Sequence, residues 1–154
     1  MEKTPYSIEF LWNQLEFAFH QIKKPRYKNI VKKFIFDDNL RKRVEKLTDK
    51  SGRNYEGGLL EKTASVVSIS LCIYDNFPEI NIDIIISAII LNCFCKGIGK
   101  HECFEKLKDY DELIPFIFKK KRKKPTLEIL IYDSLYKLDN KIYQGLRRKR
   151  GEIN

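Results

Sequence analysis

Helical spacing recurs along this chain, whereas strand-like alternation of useful length does not. Ile8, Leu11, Trp12, Leu15, Ala18, Phe19 and Ile22 step by three and four, which puts them on one helix face. Thr4-Pro5 ahead of them reads as a cap followed by a first-turn proline. Pro25 opens a second, basic helix carrying Ile30, Val31, Phe34 and Ile35, and Asp37-Asp38 supplies a cap for a third through Leu40, Val44 and Leu47. Ser51-Gly52 closes this region. After Gly57-Gly58 a fourth helix carries Leu59, Leu60, Val66, Val67 and Leu71 and is stopped by Pro78. Asn81 caps a fifth, Ile84 to Leu91, which is apolar on nearly every side and is therefore the expected central helix. Gly97-Ile98-Gly99 breaks the pattern there. Short helices from His101 to Tyr110 and around Leu113 to Phe118 lead to a last one, opened by Pro125 and apolar from Leu127 to Leu146.

The pattern predicts an all-α fold, a single bundle of about seven or eight helices over residues 1–154. Within it, 1–24 form an N-terminal helix, 25–146 the core and 147–154 a basic tail. A length of 154 residues suits one domain. With 43% hydrophobic and 12% aromatic residues the chain can bury a core, which excludes wholesale disorder. The longest uncharged run near mid-chain, residues 84–95, is well short of the roughly 20 apolar residues that cross a bilayer, so no membrane partner is expected. Met1-Glu2-Lys3-Thr4-Pro5 does not read as a signal peptide, and with four cysteines the expectation is a cytoplasmic protein with reduced thiols.

Charge changes the picture more than composition does. The net charge is +9, and it is uneven. Residues 22–53 hold 12 Lys/Arg against 4 Asp/Glu, and so do residues 119–154, while the centre is mildly acidic. Such a field attracts polyanions, and nucleic acid is the commonest of them. The expected contacts are the run Lys119, Lys120, Lys121, Arg122, Lys123, Lys124 and the group Arg147, Arg148, Lys149, Arg150, with Lys23 to Lys33 as a further basic stretch. RNA is expected ahead of DNA. Six adjacent like charges repel one another unless an anion is near. Tyr132, Tyr136 and Tyr143 share the last helix with basic residues, an arrangement that serves either base stacking or packing.

The stretches Tyr55-Glu56-Gly57-Gly58-Leu59-Leu60-Glu61-Lys62-Thr63 and Tyr74-Asp75-Asn76-Phe77-Pro78-Glu79-Ile80-Asn81-Ile82-Asp83 carry a further signal. They resemble the HD domain of YhaM-type 3′-to-5′ exoribonucleases, whose pattern there runs Y-x-G-G-L-L-E-H-T, then Y-P-E-I-N-x-D, then A-x-L-L-H-D-x-G-K. Pro125-Thr126-Leu127-Glu128 and Leu138-Asp139-Asn140-Lys141 resemble the same family's closing helix. The resemblance implies a helical fold and a metal-dependent phosphohydrolase, because imidazole and carboxylate ligands hold a cation that polarises phosphate and acidifies water. Position by position, however, the first His falls on Lys62, the His-Asp pair on Asn92-Cys93 and the closing Asp on Tyr136; the paired His before the glycines fall on Gly52 and Arg53. A lysine where a cation belongs opposes metal binding. The resemblance therefore implies a degenerate HD pocket at Lys62, Asn92, Cys93, Tyr136 and Asp139, with no metal, no other cofactor and no catalytic residue.

Two smaller constellations remain. Cys93, Cys95, His101 and Cys103 offer thiolates and an imidazole to zinc, or simply bury as core residues. Lys62, Asn92 and Lys96 either hold a small anion or pair internally, for example with Asp139. The expectation is a catalytically inactive HD-like domain that binds RNA or other nucleic acid through its basic blocks. The alternatives are a phosphohydrolase or 3′-to-5′ exoribonuclease with rearranged ligands, and an adaptor docking an acidic protein.

Overall fold

Ser7, rather than Thr4, starts the first helix. In the computed structural model, which describes residues 2–153, α1 spans Ile8–Gln21 and the Ser7 side chain accepts from the Phe10 N–H. Thr4 is used elsewhere: its hydroxyl donates to Glu61 at 2.6 Å, so a residue suited to capping holds two distant segments together. Pro25 does open α2 (Pro25–Ile35), and Asp37 caps α3 (Asp38–Glu45) by accepting from the Leu40 N–H. Caps of this kind are worth about 1 kcal/mol each.

α4 spans Gly58–Asn76 and α5 spans Ile82–Ile98. Asn81 caps α5 through the Ile84 N–H, but the helix runs on past Leu91 through Cys93, Cys95 and Gly97. The break falls at Gly99, whose φ of +92° suits glycine and directs the chain into α6 (Lys100–Leu107). α7 (Ile114–Ile117) is short, and a 3-10 turn at Lys119–Lys121 follows. Pro125 lies just outside α8 (Leu127–Lys149), where Thr126 is the cap. α8 also takes in Arg147, Arg148 and Lys149, so the expected basic tail begins inside the helix.

Among the described residues there are eight α-helices and no strand, only an isolated bridge between Lys3 and Glu56. α5 lies at the centre and touches every other helix, as its all-round apolar surface requires. α1 and α4 run side by side in one direction: Thr4 meets Glu61 near their starts, and Asp83, beyond α4, accepts from the backbone N–H groups of Lys23 and Lys24 beyond α1. α8 packs on α4 in the opposite sense, with Asp139 against Ser65 and Leu130 and Ile131 beside Ile73. No helix among the described residues is long and apolar enough to cross a membrane.

Gly57 and Gly58 are fixed by sterics. Gly57 has φ +83°, and a Cβ there would press on Thr4 Cγ2 at 2.6 Å. A Cβ at Gly58 would run into the Arg53 carbonyl oxygen. The pair therefore lets the 53–56 segment fold tightly over the start of α4.

Candidate nucleic-acid interface

Arg53 lies beneath that turn, buried between two carboxylates. Its Nε donates to Glu61 at 2.7 Å and its two terminal nitrogens grip Asp139 at 2.7 and 3.2 Å. Tyr55 donates its hydroxyl to Glu61, Ser65 donates to Asp139 at 2.6 Å, and the guanidinium stacks 4.3 Å from the Tyr143 ring centroid. Burial pulls the Arg53 pKa down, but the bonds and charges of Asp139 and Glu61 outweigh it and leave the group above its ordinary value. Asp139 is thus committed to Arg53 and does not face the pocket in which the sequence placed it.

Lys62 is one helical residue beyond Glu61 and points to the other side of α4. Its ammonium donates to Ser51 Oγ and Asn140 Oδ1, both at 2.7 Å, and lies 3.5 Å from Asp49. The carboxylate that meets it is therefore Asp49, not Asp139. Burial is the largest influence on Lys62 and holds its pKa below 10.5, with Asp49 and Asp139 offsetting part of the shift. Asp49 is itself pushed up by burial. The Ser51 hydroxyl, the Lys62 charge and the backbone N–H groups of Ser51 and Arg53 more than reverse this and leave it below 3.8.

These groups line a cleft of about 780 Å³ together with Asn92, Lys96, Tyr132, Tyr136, Lys50, Lys119 and Lys137. Asn92 donates to the Tyr136 hydroxyl at 3.4 Å, and the Tyr136 ring centroid is 5.8 Å from Lys62 Nζ. Lys62, Asn92 and Tyr136, three positions that the HD resemblance assigns to ligands, thus share one cleft. Cys93 does not join them. It is 1% exposed in the core, where burial pushes its thiol up to about 11. The two acids of the cleft are both occupied, Asp49 by Lys62 and Asp133 by Arg122. Among the described residues no carboxylate lies within 4 Å of Lys50, Lys96, Lys119 or Lys137. That is the chemistry of an anion site in which four cations are left for a ligand.

The structure sorts the ten expected contact residues. Lys119, Lys120, Lys121, Lys123 and Lys124 are exposed, and Lys119 also lines the cleft, so run and cleft are continuous. Arg122 is withdrawn from that surface: it binds Asp133 through two bonds, at 2.7 and 2.9 Å, and donates to the carbonyls of Pro115 and Phe116. Arg147 and Arg150 both approach Glu152, at 3.3 and 3.6 Å, while Arg148 and Lys149 are exposed. Tyr143 lies under Arg53, and Tyr132 and Tyr136 both line the cleft, Tyr132 being 3% exposed.

The cysteines depart from expectation. Cys95, on α5, and Cys103, on α6, form a disulfide, leaving Cys72 exposed and Cys93 buried as thiols. The expectation of four reduced thiols is corrected accordingly. The sulfurs of Cys95 and Cys103 are spent on each other and Cys93 is enclosed, so these residues and His101 do not converge as a zinc site. Among the described residues no three His, Cys, Asp or Glu side chains gather as metal ligands.

Sequence reasoning missed Ser51, Asp49 and Asn140 around Lys62. Asn140 had a usable signal, since it lies four residues from Tyr136 on the same face of α8. Asp49 and Ser51 lie in a loop whose path no periodicity describes. Comparison of the chain with protein-family models, with curated proteins and with solved structures finds no match in any of the three.

Proposed function

We propose that this protein is a non-catalytic, HD-like helical domain that binds single-stranded RNA, or another nucleic acid, along the lysine-lined cleft and the adjoining Lys119 to Lys124 run. The observation that carries this reading is the cleft itself, where Lys50, Lys96, Lys119 and Lys137 face the same space and both acids are neutralised from within the protein. The cleft gives the polyanion a path rather than a scatter of surface charge. The HD relationship rests on the Tyr55 to Thr63 and Tyr74 to Asp83 stretches, and is supported by Lys62, Asn92 and Tyr136 lining one cleft.

Contact is mainly to phosphate, so affinity falls steeply with salt and depends little on base identity. Lys62 takes the place of a cation at the cleft floor, with Tyr136 offering a ring edge nearby. The test is a fluorescence-anisotropy titration with single-stranded RNA over a series of salt concentrations, with the RNA inspected for cleavage in the presence of magnesium or manganese. Tight, salt-sensitive binding without cleavage supports the reading. Cleavage would instead favour a phosphohydrolase with rearranged ligands, and no binding at low salt would leave docking of an acidic protein as the use of the basic surface.

A further inference from the structure

The basic run borders a second space besides the lysine cleft. A groove of about 590 Å³ lies among α6, α7 and the start of α8, and Lys121, Lys123 and Lys124 line it. Its floor is apolar, made by Phe104, Ile114, Pro115 and Phe116 with Ile84 and Ile129. Phe116 also lines the cleft, so cleft and groove adjoin. Arg122 fixes the ridge between them. Its bonds to Asp133 and to the carbonyls of Pro115 and Phe116 tie down the middle of the run, with Lys119 on the cleft side and the three other lysines on the groove side. Among the described residues no carboxylate lies within 4 Å of Lys121, Lys123 or Lys124. The fourth lysine of the groove, Lys108, lies 3.5 Å from Glu105. Of the groove's acids, Glu112 holds Arg26 through two bonds, at 2.5 and 3.2 Å, and Glu128 accepts from the Asn81 N–H, which leaves Asp111. Phe104 is half-buried. Its ring meets Phe118 edge-on, at 5.5 Å between centroids, and Lys121 Nζ stands over it at 5.7 Å, so a face of the ring is reached from the groove.

We propose that this groove is a base-stacking subsite for a single strand. The strand leaves the cleft, crosses the ridge at Lys119 to Lys121 and sets a base against Phe104, while Lys121, Lys123 and Lys124 take its phosphates. The inference rests on the RNA reading and extends it: the cleft supplies mainly cations, and the groove adds an aromatic face beside unpaired ones. Two properties of the groove select the occupant. Unpaired lysines call for a polyanion. An apolar, aromatic floor next to them calls for a polyanion that carries flat apolar faces along its length, as a single-stranded nucleic acid does. A duplex does not satisfy the second condition, because its bases already stack on one another. Lys121 need not obstruct the ring, since a cation–π contact at an exposed site is weak and gives way to a phosphate. Stacking is tolerant of base identity, because every base has a π-face, so the subsite adds affinity without sequence readout.

The test uses the full chain and single-stranded RNA substituted with 5-iodouridine at each position in turn. Irradiation of the wild-type complex is expected to give an adduct on Phe104. Phe104→Leu, which keeps an apolar side chain but removes the ring, is expected to bind at least about fivefold more weakly, the lower end of what losing one stacked base costs. Its salt dependence should match that of the wild type, because no phosphate contact is lost. Adducts that form elsewhere but not on Phe104, or a Phe104→Leu protein that binds as the wild type does, overturn the proposal and leave the cleft reading standing, since that reading is tested separately by Lys96→Glu, Lys137→Glu. A wild-type protein that binds no RNA at low salt overturns both. Should Phe104→Leu lose helix content, the cross-link in the wild-type protein decides alone.

Discussion

At the scale of the residue, the two neighbours Glu61 and Lys62 illustrate how one helix serves two purposes. Glu61 faces Arg53 and completes a buried network with Asp139, Tyr55, Ser65 and Thr4, in which every ionic group has a partner. Removing one partner strands the others in a low-dielectric site, which typically costs about 3–5 kcal/mol. Arg53→Met is therefore expected to lower stability by about that amount in urea unfolding, and Asp139→Asn by somewhat less, because the amide still accepts one bond. A loss below about 1 kcal/mol for Arg53→Met would contradict this role.

Lys62 and Asp49 give a pH dependence whose sign follows from their shifts. Asp49 has a folded pKa below 3.8, so its contribution is complete above that value and is lost as pH falls through the folded one. Lys62 has a folded pKa below 10.5, so the cost of keeping it charged in the fold is relieved as pH rises through the folded value toward 10.5. Stability measured against pH should accordingly fall less steeply below 3.8 in Asp49→Asn than in the wild-type protein. Parallel acid limbs in the two proteins would show that Asp49 is not held as described.

At the scale of the element, periodicity carried most of the information. α2, α4 and α5 follow from the spacing of Ile30, Val31, Phe34, Leu59, Leu60, Val66 and the isoleucines of 84–90, and the caps Asp37 and Asn81 were legible because their side chains act within three residues. Thr4 misled because its hydroxyl serves Glu61, 57 residues away, and no local pattern reports such a bond. Gly97 misled in the other direction: it is absorbed inside α5, where its lack of a side chain lets Val44 and Leu47 of the neighbouring segment approach. The candidate site was half legible. Motif positions pointed to Lys62, Asn92 and Tyr136, but the loop residues Asp49 and Ser51 and the withdrawal of Arg122 by Asp133 depend on tertiary packing.

The Cys95 to Cys103 bond belongs to this scale because it fastens the end of α5 to α6, on the side that leads to the basic run. Closing so short a loop is worth about 2–3 kcal/mol in the chain-entropy treatment. Cys103→Ser is expected to lose roughly that much stability, and addition of dithiothreitol should produce the same loss in the wild-type protein but none in the variant. Equal stability of oxidised and reduced wild-type protein would contradict it.

At the scale of the whole molecule, α8 divides two surfaces of opposite character. One flank of the helix carries Tyr136, Lys137 and Asn140 into the lysine cleft, and the other carries Leu130, Leu138 and Ile142 to an apolar face. The net charge of +9 is concentrated functionally by the fold: the acids of the cleft are cancelled by Lys62 and Arg122, while Lys119 joins the cleft to the exposed run. Within the cleft the Lys62 ammonium is fixed by its bonds to Ser51 and Asn140, and on the proposed HD-like reading it would stand in place of a metal ligand.

The most direct measurement is the salt dependence of single-stranded RNA binding in the wild-type protein and in Lys96→Glu, Lys137→Glu, with Lys32→Glu, Lys33→Glu on the exposed side of α2 as the matched control. The account predicts that the cleft pair loses most of its affinity and that its salt slope flattens by about 0.7 for each phosphate contact removed, while the α2 pair binds nearly as the wild type does. Equal losses from the two pairs would show that the cleft is not the binding path and would contradict the account.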